Sequence, residues 1–346
     1  MGTVHLIGLG TSVPEAVFTQ EEAFALAGYS DPKFRRIFEG SGIETRHLFL
    51  DRERFRKDES PDELHARYER GVVRLAREAS QRALADADIG PDAIGLVVSS
   101  SCTGYLCPDL ATILVGDLRL PRSVERGCLQ GMGCGGAIPA LQRGADFVAA
   151  RGEPALVVAA EVCSAAYFID DDPETVVGNA ICADGAAAVV LSPGADRPSG
   201  RFLSFGSRVA PEHLDRVGFS RRDGRLRIVL KSDLPRIASP VAIAAVDEAL
   251  LRAGRGRREV ARWVLHPGGP RVLAALGPAL GLGEDPIEIS RDVYRRFGNM
   301  SSPTVLFVLE ETLRRSPPAH GETVLLLALG PGLAAEAAVL EWVGTV

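Results

Sequence analysis

R-G-C-L-Q-G-M-G-C-G-G-A-I-P-A-L, from Arg126 to Leu141, is the stretch on which the interpretation of the whole chain depends. At its centre, Cys134 lies among glycines and is followed by apolar residues at helical spacing, which predicts a tight turn entering a buried helix. Free N–H groups and the helix dipole favour a thiolate there, and a neighbouring N–H could hold the oxyanion of an acyl-transfer intermediate. The alternative is that Cys134 is a small buried filler, as most free cysteines are.

The composition describes a well-packed globular chain and argues against several functional classes. The 346 residues can bury a large core, and a net charge of −6 gives no reason to expect nucleic acid as a partner. The six cysteines include no C-x-x-C pair, so we expect neither a metal site nor a disulfide framework, and a cytoplasmic location fits better. No apolar run is long enough to span a membrane, so we expect no membrane association.

Two parts of the chain repeat the same order of predicted elements. In the first, a helix, the strand I-G-L-V-V-S-S-S-C, a helix, the Cys134 loop with its helix, and the strand A-L-V-V-A-A-E follow one another. In the second, A-R-W-V-L-H and T-V-L-L-L-A-L-G are the corresponding strands, and the loop F-G-N-M-S-S-P replaces the Cys134 loop. The interval from Cys102 to Cys134 nearly equals that from His266 to Asn299. Chance similarity of two βαβα patterns is the alternative to a true repeat.

Alternating helices and continuous apolar strands favour an α/β fold with buried, mixed sheets. The repeat further predicts two similar halves, residues 1–196 and 197–346. They are joined by a Pro- and Gly-rich stretch near Gly194 to Gly200. We expect the halves to pack about a pseudo-twofold axis that turns the matching loops toward one site. Within the first half, helical patterns run from Glu21 to about Ile43 and from Leu64 to Asp88.

If the halves face one another, Cys134 meets His266 of L-H-P-G-G and Asn299 of G-N-M-S-S. Each of the latter two has an ordinary explanation alone, since a strand-end His is more often structural and an Asn after Gly is typical of a turn. Together the three residues supply a nucleophile, a partner for the thiolate, and hydrogen-bond donors for a carbonyl oxygen. They include no carboxylate to orient the histidine, so they suit decarboxylation of a thioester, followed by enolate attack on an acyl–Cys134, better than hydrolysis.

Over nearly its whole length the sequence resembles the type III polyketide synthases, the chalcone-synthase-like branch of the thiolase-fold condensing enzymes. The resemblance rests on the Gly-flanked Cys134, W-V-L-H-P-G-G, F-G-N-M-S-S-P-T, A-D-G-A-A-A-V-V-L and G-P-G, in this order and spacing. It implies a thiolase fold of αβαβα layers, a homodimer, no bound cofactor, and decarboxylative Claisen condensation of coenzyme A thioesters. It also implies that Cys134 carries the acyl group, that His266 and Asn299 activate the extender, and that Phe168 is the gatekeeping aromatic at the base of the entry tunnel.

The substrate pocket implied by this resemblance departs from that of the plant enzymes. Ile228 replaces a second gatekeeper aromatic, Leu329 replaces the Phe of G-F-G-P-G, and Cys107 replaces a Met that crosses the dimer into the partner's cavity. These changes favour an aliphatic starter over an aromatic one. The residues matched to pocket positions are Cys102, Thr103, Cys107, Ile228, Leu329, Gly330, Pro331 and Gly332.

A basic group made of Lys33, Arg35, Arg36 and Arg46 is a candidate contact for coenzyme A phosphates or for an acidic acyl carrier protein. Either ligand needs local positive charge on a protein that is acidic overall. The alternative is an ordinary solvated helix face.

The predicted function is loading of an acyl group on Cys134, extension with a malonyl-type unit, and cyclisation to a pyrone or resorcinol-type product. One alternative keeps the fold and changes the donors: a stand-alone ketosynthase that joins two carrier-protein-bound β-ketoacyl chains into an α-pyrone, or a β-ketoacyl synthase III. A catalytically silent thiolase-fold scaffold and a hydrolase are further alternatives. The intact Cys, His and Asn set disfavours the first of these, and the missing carboxylate disfavours the second.

Overall fold

A computed structural model of the chain describes residues 2–53 and 55–344, which form thirteen strands and ten α-helices. The strands are β1 (His5–Ser12), β2 (Val17–Thr19), β3 (Thr45–His47), β4 (Leu96–Ser101), β5 (Glu125–Gln130), β6 (Ala155–Val162), β7 (Asp184–Ser192), β8 (Ser199–Val209), β9 (Val217–Arg222), β10 (Arg225–Leu230), β11 (Val260–Leu265), β12 (Thr323–Gly330) and β13 (Ala334–Val343). The helices are α1 (Gln20–Ala27), α2 (Pro32–Glu39), α3 (Pro61–Ala87), α4 (Leu110–Asp117), α5 (Ala137–Arg151), α6 (Pro173–Ile181), α7 (Leu234–Ala253), α8 (Pro270–Leu280), α9 (Asp285–Phe297) and α10 (Thr304–Arg315).

The strand order repeats between the two halves. In the first half β4 is parallel to β6, β6 is antiparallel to β7, and β7 is antiparallel to β1. In the second half β11 is parallel to β12, β12 is antiparallel to β13, and β13 is antiparallel to β8. Two residue pairs of β1 and β8 join these sets into one nine-stranded sheet, with β5 at the edge beside β4. The repeat predicted from the sequence is therefore present in the topology.

The helices and strands form five layers, because each element buries its apolar face against its neighbours. Helices α5 and α10 lie between the two sets of strands, and Leu141 and Leu306 pack there against residues of both sets. Helices α3 and α4 cover the outer face of the first set, while α7 and α8 cover the outer face of the second. Because both faces of the central strands are covered, β6 and most of β7 are buried along their lengths, as their continuous apolar sequences predict. This is the expected αβαβα arrangement of a thiolase fold.

The helical pattern expected from Glu21 to Ile43 is in fact two short helices. Gly28 has a φ of 64° and ends α1, because its left-handed conformation directs the chain out of the helix. Pro32 then occupies the first turn of α2 behind the N-cap residue Asp31. The break turns α2, which carries most of the basic group, against α6.

The hairpin β9–β10 forms its own two-stranded sheet and packs on α6. It covers the end of the molecule where the Cys134 turn and the G-P-G loop meet. Among residues 2–53 and 55–344, no helix combines the length and apolar character needed to cross a bilayer. The same residues contain no group of three or more His, Cys, Asp or Glu side chains placed to hold a metal ion.

Candidate active site

The turn that carries Cys134 has the form predicted from its glycines. Gly133 to Gly135 make one turn of 3₁₀ helix, and α5 begins directly afterwards. Gly133 has a φ of 49°, and a Cβ there would lie 2.4 Å from Cδ of Pro331. On the opposing loop, a Cβ on Gly330 would lie 2.5 Å from the carbonyl oxygen of Met132. The two loops, one from each half, therefore interlock at a distance that only glycine permits.

Cys134 lines an inner cavity of about 60 Å³. The cavity walls come from both halves and from the hairpin, and most of them are apolar. The predicted residues that line the cavity are Cys102, Cys134, Ile228, Asn299, Leu329, Gly330 and Pro331. The residues that line it without having been predicted are Gly133, Cys163, Ile181, Cys182, Val217, Gly218, Phe219, Leu230 and Ser301.

Asn299 is held beside Cys134 by its own loop. Its backbone pairs with residues on either side of Cys182, and its Oδ1 lies 3.9 Å from Cys134 Sγ. The N–H of Ser301 donates to the same Oδ1 at 2.8 Å, which fixes the amide oxygen toward the loop. Nδ2 is therefore the end of the amide that is directed to Gly268 and can donate to a substrate.

His266 follows β11 and is 3% exposed. Its backbone N–H donates to the carbonyl of Leu327, and a Cβ on Gly268 would lie 3.7 Å from its ring. Among the described residues, neither Nδ1 nor Nε2 has a hydrogen-bond partner. Burial lowers the pKa of His266 to about 3, so the imidazole is neutral at physiological pH. It then offers one N–H donor and one bare nitrogen.

Burial favours the thiol form of Cys134 in the resting site. It raises the pKa of the thiol to about 12, and this outweighs the effects of the Ser301 and Asn299 side chains, which lower the pKa. Burial therefore opposes the thiolate expected at the helix N-terminus, although the turn itself is as expected. The N–H groups of Gly135 and Gly136 already donate to carbonyls within the turn.

The rear wall of the cavity depends on a carboxylate that the sequence analysis does not single out. Glu161 is fully buried, and it accepts hydrogen bonds from the N–H groups of Cys102 and Thr103, from the Thr103 hydroxyl, and from the Ser302 hydroxyl. Burial raises the pKa of Glu161, and these hydrogen bonds act against that rise. A lone acidic residue in the apolar strand A-L-V-V-A-A-E-V is the signal that could have identified it.

The hairpin forms the roof of the cavity through Phe219, Ile228 and Leu230. Phe168 is buried but is not among the residues that line this cavity, and its role as gatekeeper stays a prediction. Its ring lies 5.0 Å from Cζ of the Arg225 guanidinium, measured from the ring centroid. Phe219, which strand alternation places opposite Ile228, is the aromatic residue that lines the cavity.

Three other residues matched to pocket positions lie outside this cavity. Thr103 does not line the cavity, because its hydroxyl is turned away to Glu161. Gly332 lies just beyond the lining residues and its N–H donates to the carbonyl of Val217. Cys107 is exposed, before the cis-bonded Pro108, and lies outside the cavity of its own chain. Its predicted contact with a partner chain stays a prediction.

An outer pocket of about 340 Å³ adjoins the inner cavity and shares Ile181 and Leu230 with it. Arg36, Lys231 and Arg271 are among its lining residues, and Lys231 pairs with Glu174, which lines the same pocket. Of the predicted basic group, Arg36 thus lines a pocket that adjoins the Cys134 cavity. Arg35 instead lies over the Phe24 ring, and Lys33 pairs with Asp31.

Arg46 was predicted to bind phosphate, and the structure shows that this is wrong. Its side chain is completely buried and donates to the carbonyls of Asn179, Ala180 and Cys182 and to the Gln20 side chain. It therefore satisfies the free carbonyl groups at the end of α6 and is not available to a ligand. Its contribution to the site is indirect, because the end of α6 carries Ile181 and Cys182 into the cavity wall.

A model of the N-terminal domain of chalcone and stilbene synthases matches residues 1–196, and a model of their C-terminal domain matches residues 207–344. The chain belongs to the type III polyketide synthases. Their members are acyltransferases that form carbon–carbon bonds from coenzyme A thioesters. This membership agrees with the arrangement of Cys134, His266 and Asn299 described above.

The relatives of this type III polyketide synthase span almost the whole chain. A 3,5-dihydroxyphenylacetyl-CoA synthase from Streptomyces toyocaensis is 33% identical over 98% of this chain and 90% of its own length. The α-pyrone synthesis polyketide synthase-like Pks18 of Mycobacterium tuberculosis is 31% identical over 98% of this chain and 91% of its own. The crystal structure of 1,3,6,8-tetrahydroxynaphthalene synthase from Streptomyces coelicolor A3(2) superposes with a TM-score of 0.92 at 27% identity, covering 99% of this chain and all of that one.

One more ionisable group lies behind the nucleophile turn of this polyketide synthase. Glu336 on β13 is 5% exposed and accepts a hydrogen bond from the Ser207 hydroxyl at 3.0 Å. Its Cγ is 3.5 Å from the position that a Cβ on Gly135 would take. Burial raises the pKa of Glu336 to about 7, so the carboxyl group keeps its proton through mildly acidic pH.

Replacing Glu336 with Gln should flatten the pH dependence of stability. Between the ordinary pKa of 4.5 and the raised value of about 7, the folded state binds the proton that the unfolded state releases, so stability falls as pH rises through this window. Urea denaturation at about pH 5 and about pH 8 should show a loss in wild type, on the order of 3 kcal/mol at most, that Glu336→Gln lacks. Glu284→Gln, on a largely exposed carboxylate, is the matched control. Equal slopes in wild type and Glu336→Gln would contradict the assignment.

Proposed function

We propose that this enzyme loads an acyl group from coenzyme A onto Cys134, extends it with a malonyl-type thioester, and releases a cyclised pyrone or resorcinol-type product. The observation that carries the proposal is the convergence of Cys134, Asn299 and the loop of His266 at a cavity that adjoins a pocket lined by Arg36 and Arg271. The positive charge of that pocket suits an acyl thioester of a phosphorylated carrier.

Loading begins with both reacting side chains neutral. As the thioester carbonyl approaches, the Cys134 thiol gives its proton to the bare nitrogen of His266, and Sγ attacks the carbonyl carbon. The bond between that carbon and the sulfur of coenzyme A breaks, and the leaving thiolate takes the proton from His266. The products are acyl–Cys134 and free coenzyme A, and His266 is neutral again.

Extension uses the hydrogen-bond donors that remain free in the site after loading. The thioester oxygen of a malonyl unit accepts hydrogen bonds from the N–H of neutral His266 and from Asn299 Nδ2. These donors stabilise the enolate that forms when the carboxylate leaves as carbon dioxide. The enolate carbon attacks the acyl carbonyl on Cys134, and a carbon–carbon bond forms as the bond from the acyl carbon to Sγ breaks. The released Sγ takes up one proton from solvent, which restores the thiol for another cycle.

The shape of the cavity supports a short aliphatic starter. Its volume of about 60 Å³ is small. Ile228 and Leu329 are aliphatic residues in its wall, at positions where an aromatic side chain would offer a flat ring to an aromatic starter. The relatives that make 3,5-dihydroxyphenylacetyl-CoA, α-pyrones and tetrahydroxynaphthalene share the family but differ in product, so the product class is part of the proposal. We also propose a cytoplasmic location, which agrees with six free cysteines in the chain.

Single substitutions of Cys134, His266 and Asn299 should distinguish acyl loading from malonyl decarboxylation. Cys134→Ala should load no acyl group, whereas His266→Ala and Asn299→Ala should lose malonyl decarboxylation by about a hundredfold or more, because each removes a donor to the enolate. Intact-protein mass spectrometry with a panel of acyl-coenzyme A and acyl carrier protein donors measures loading, and carbon dioxide release measures decarboxylation.

The acyl donor that loads Cys134 distinguishes the alternative functions. Loading from coenzyme A supports the proposal, and loading from carrier protein alone would favour the ketosynthase that joins two carrier-bound chains. Loading from neither donor would favour a silent scaffold. Unchanged decarboxylation in both His266→Ala and Asn299→Ala would contradict their proposed roles.

The cationic rim of the outer pocket gives a test with an internal control. Arg36 lines the outer pocket and Arg35, its neighbour in sequence, lies against Phe24 on another face of α2. Arg36→Ala should raise the KM for acyl-coenzyme A by about five- to tenfold, since a charge-assisted phosphate contact is lost. Arg35→Ala should leave the KM unchanged. Steady-state kinetics at low and high salt measure both, and equal effects of the two variants would refute a rim-bound phosphate.

We further propose a homodimer, with residues 1–196 and 197–346 as the two similar units of each chain. Strand β5 ends the nine-stranded sheet, and its residues are exposed or half-buried, whereas every residue of β4 beside it is buried. Tyr105, 59% exposed, and Cys107 lie on the loop that follows β4. An open sheet edge next to exposed apolar side chains is well suited to a second copy of the chain.

Light scattering after gel filtration should therefore give twice the 36.8 kDa chain mass. Tyr105→Asp should shift the equilibrium toward monomer, because a charge would be buried at the interface. Leu251→Asp, at a residue of α7 that is 81% exposed, should leave the dimer intact. A wild-type protein that stays monomeric at micromolar concentration would disprove the proposed dimer.

A further inference from the structure

Ser301 has a backbone conformation that needs an explanation. Its φ is 63°, in the left-handed region that residues other than glycine rarely adopt, and the residue is 7% exposed. The Ser301 carbonyl accepts hydrogen bonds from the N–H and the hydroxyl of Thr304 at 3.1 and 2.9 Å, which hold the loop in this form. Strained residues of this kind are concentrated at functional sites.

This conformation directs both polar groups of Ser301 into the active site. Its N–H donates to Asn299 Oδ1, as described above. Its hydroxyl lies 3.5 Å from Cys102 Sγ, lines the same cavity as Cys134, and acts on the Cys134 thiol to lower its pKa. One hydroxyl group therefore lies in a cavity wall that holds two sulfur atoms, one of which is the proposed nucleophile.

The Cys134 sulfur has little else to stabilise a negative charge. Titratable groups that act on it are Cys102, Cys182 and Glu161, none of which is cationic, and His266 is neutral. Asn299 presents its amide oxygen to Sγ, and an oxygen acceptor suits a thiol but cannot donate to a thiolate. The Ser301 hydroxyl can donate, and a charged sulfur attracts that donation more strongly than the neutral Cys102 does.

We propose that Ser301 is a further catalytic residue whose hydroxyl donates a hydrogen bond to Cys134 Sγ while the thiol loses its proton. The proposal rests on the proposed function, since it concerns the loading step. In that step the thiol proton passes to His266, Sγ bonds to the acyl carbon, and the bond from that carbon to the sulfur of coenzyme A breaks. Ser301 keeps its own proton throughout and stabilises the negative charge on Sγ.

Two substitutions remove the hydroxyl in different ways. Ser301→Gly keeps the left-handed backbone and the N–H that holds Asn299, and Ser301→Ala keeps the Cβ. Either variant should react with iodoacetamide at Cys134 about tenfold more slowly than wild type at a fixed pH near neutrality, which corresponds to a rise of about one unit in the thiol pKa. Ser301→Gly leaves more space around Cys134, so iodoacetamide should reach the thiol more easily. A slower reaction therefore cannot be explained by reduced access of the reagent. Mass spectrometry of the Cys134 peptide isolates this thiol from the other five.

Cys102→Ala is the matched control. It removes the second sulfur that contacts Ser301 and leaves the hydroxyl in place, so alkylation of Cys134 should not slow. A second readout is malonyl decarboxylation, which Ser301→Gly should retain because Asn299 is still oriented, while acyl loading slows.

Wild-type alkylation rates in both Ser301 variants would overturn the proposal, as would equal slowing in Cys102→Ala. Alkylation requires no acyl donor, so it reports on Ser301 separately from the proposed function. A wild-type enzyme that alkylates at Cys134 but loads no acyl group would contradict the proposed function and leave the result for Ser301 standing.

Discussion

The geometry of the active site depends on the hydrogen bonds to one buried carboxylate, that of Glu161. Its donors come from the loop after β4 and, through Ser302, from the loop before α10, so they belong to different halves of the chain. A carboxylate without solvent is tolerated only if its oxygens are satisfied in this way, and a loss of either set of donors leaves a costly buried group. Glu161 therefore joins the loop after β4 to the loop that carries Asn299 and Ser301.

Burial also determines the chemistry of the site. The same exclusion of water raises the pKa of Cys134 and lowers that of His266, which favours the uncharged form of both side chains. In the proposed mechanism, reactivity then depends on hydrogen-bond donors that are already oriented, such as Asn299 Nδ2, and on proton transfer during the attack itself.

Much of the fold and the centre of the site could be predicted because their signals are local. The buried strands are continuous apolar runs, and glycines whose Cβ would obstruct the opposing loop mark the turn of Cys134. The repeat of both patterns brings the Asn299 loop beside Cys134 and the His266 loop beside Asn299. Errors occurred where the answer depends on distant partners. Arg46 has the sequence appearance of a surface charge, and only the carbonyl groups at the end of α6 explain why it is buried. Phe219 could not be identified from its residue type, because only the pairing of β9 with β10 places it beside Ile228 in the cavity wall.

The sequence by itself determined the layered α/β architecture, the family, and the three side chains proposed to react, because periodicity, glycine placement and motif spacing are properties of the chain alone. The tertiary structure decided how deeply those side chains are buried, which hydrogen bonds Glu161 and Ser301 make, and which of the candidate basic residues lines a pocket beside the Cys134 cavity. The reason is physical: pKa values, hydrogen bonds and exposure depend on the distances between groups that lie far apart in sequence, and these distances exist only after the two halves have packed.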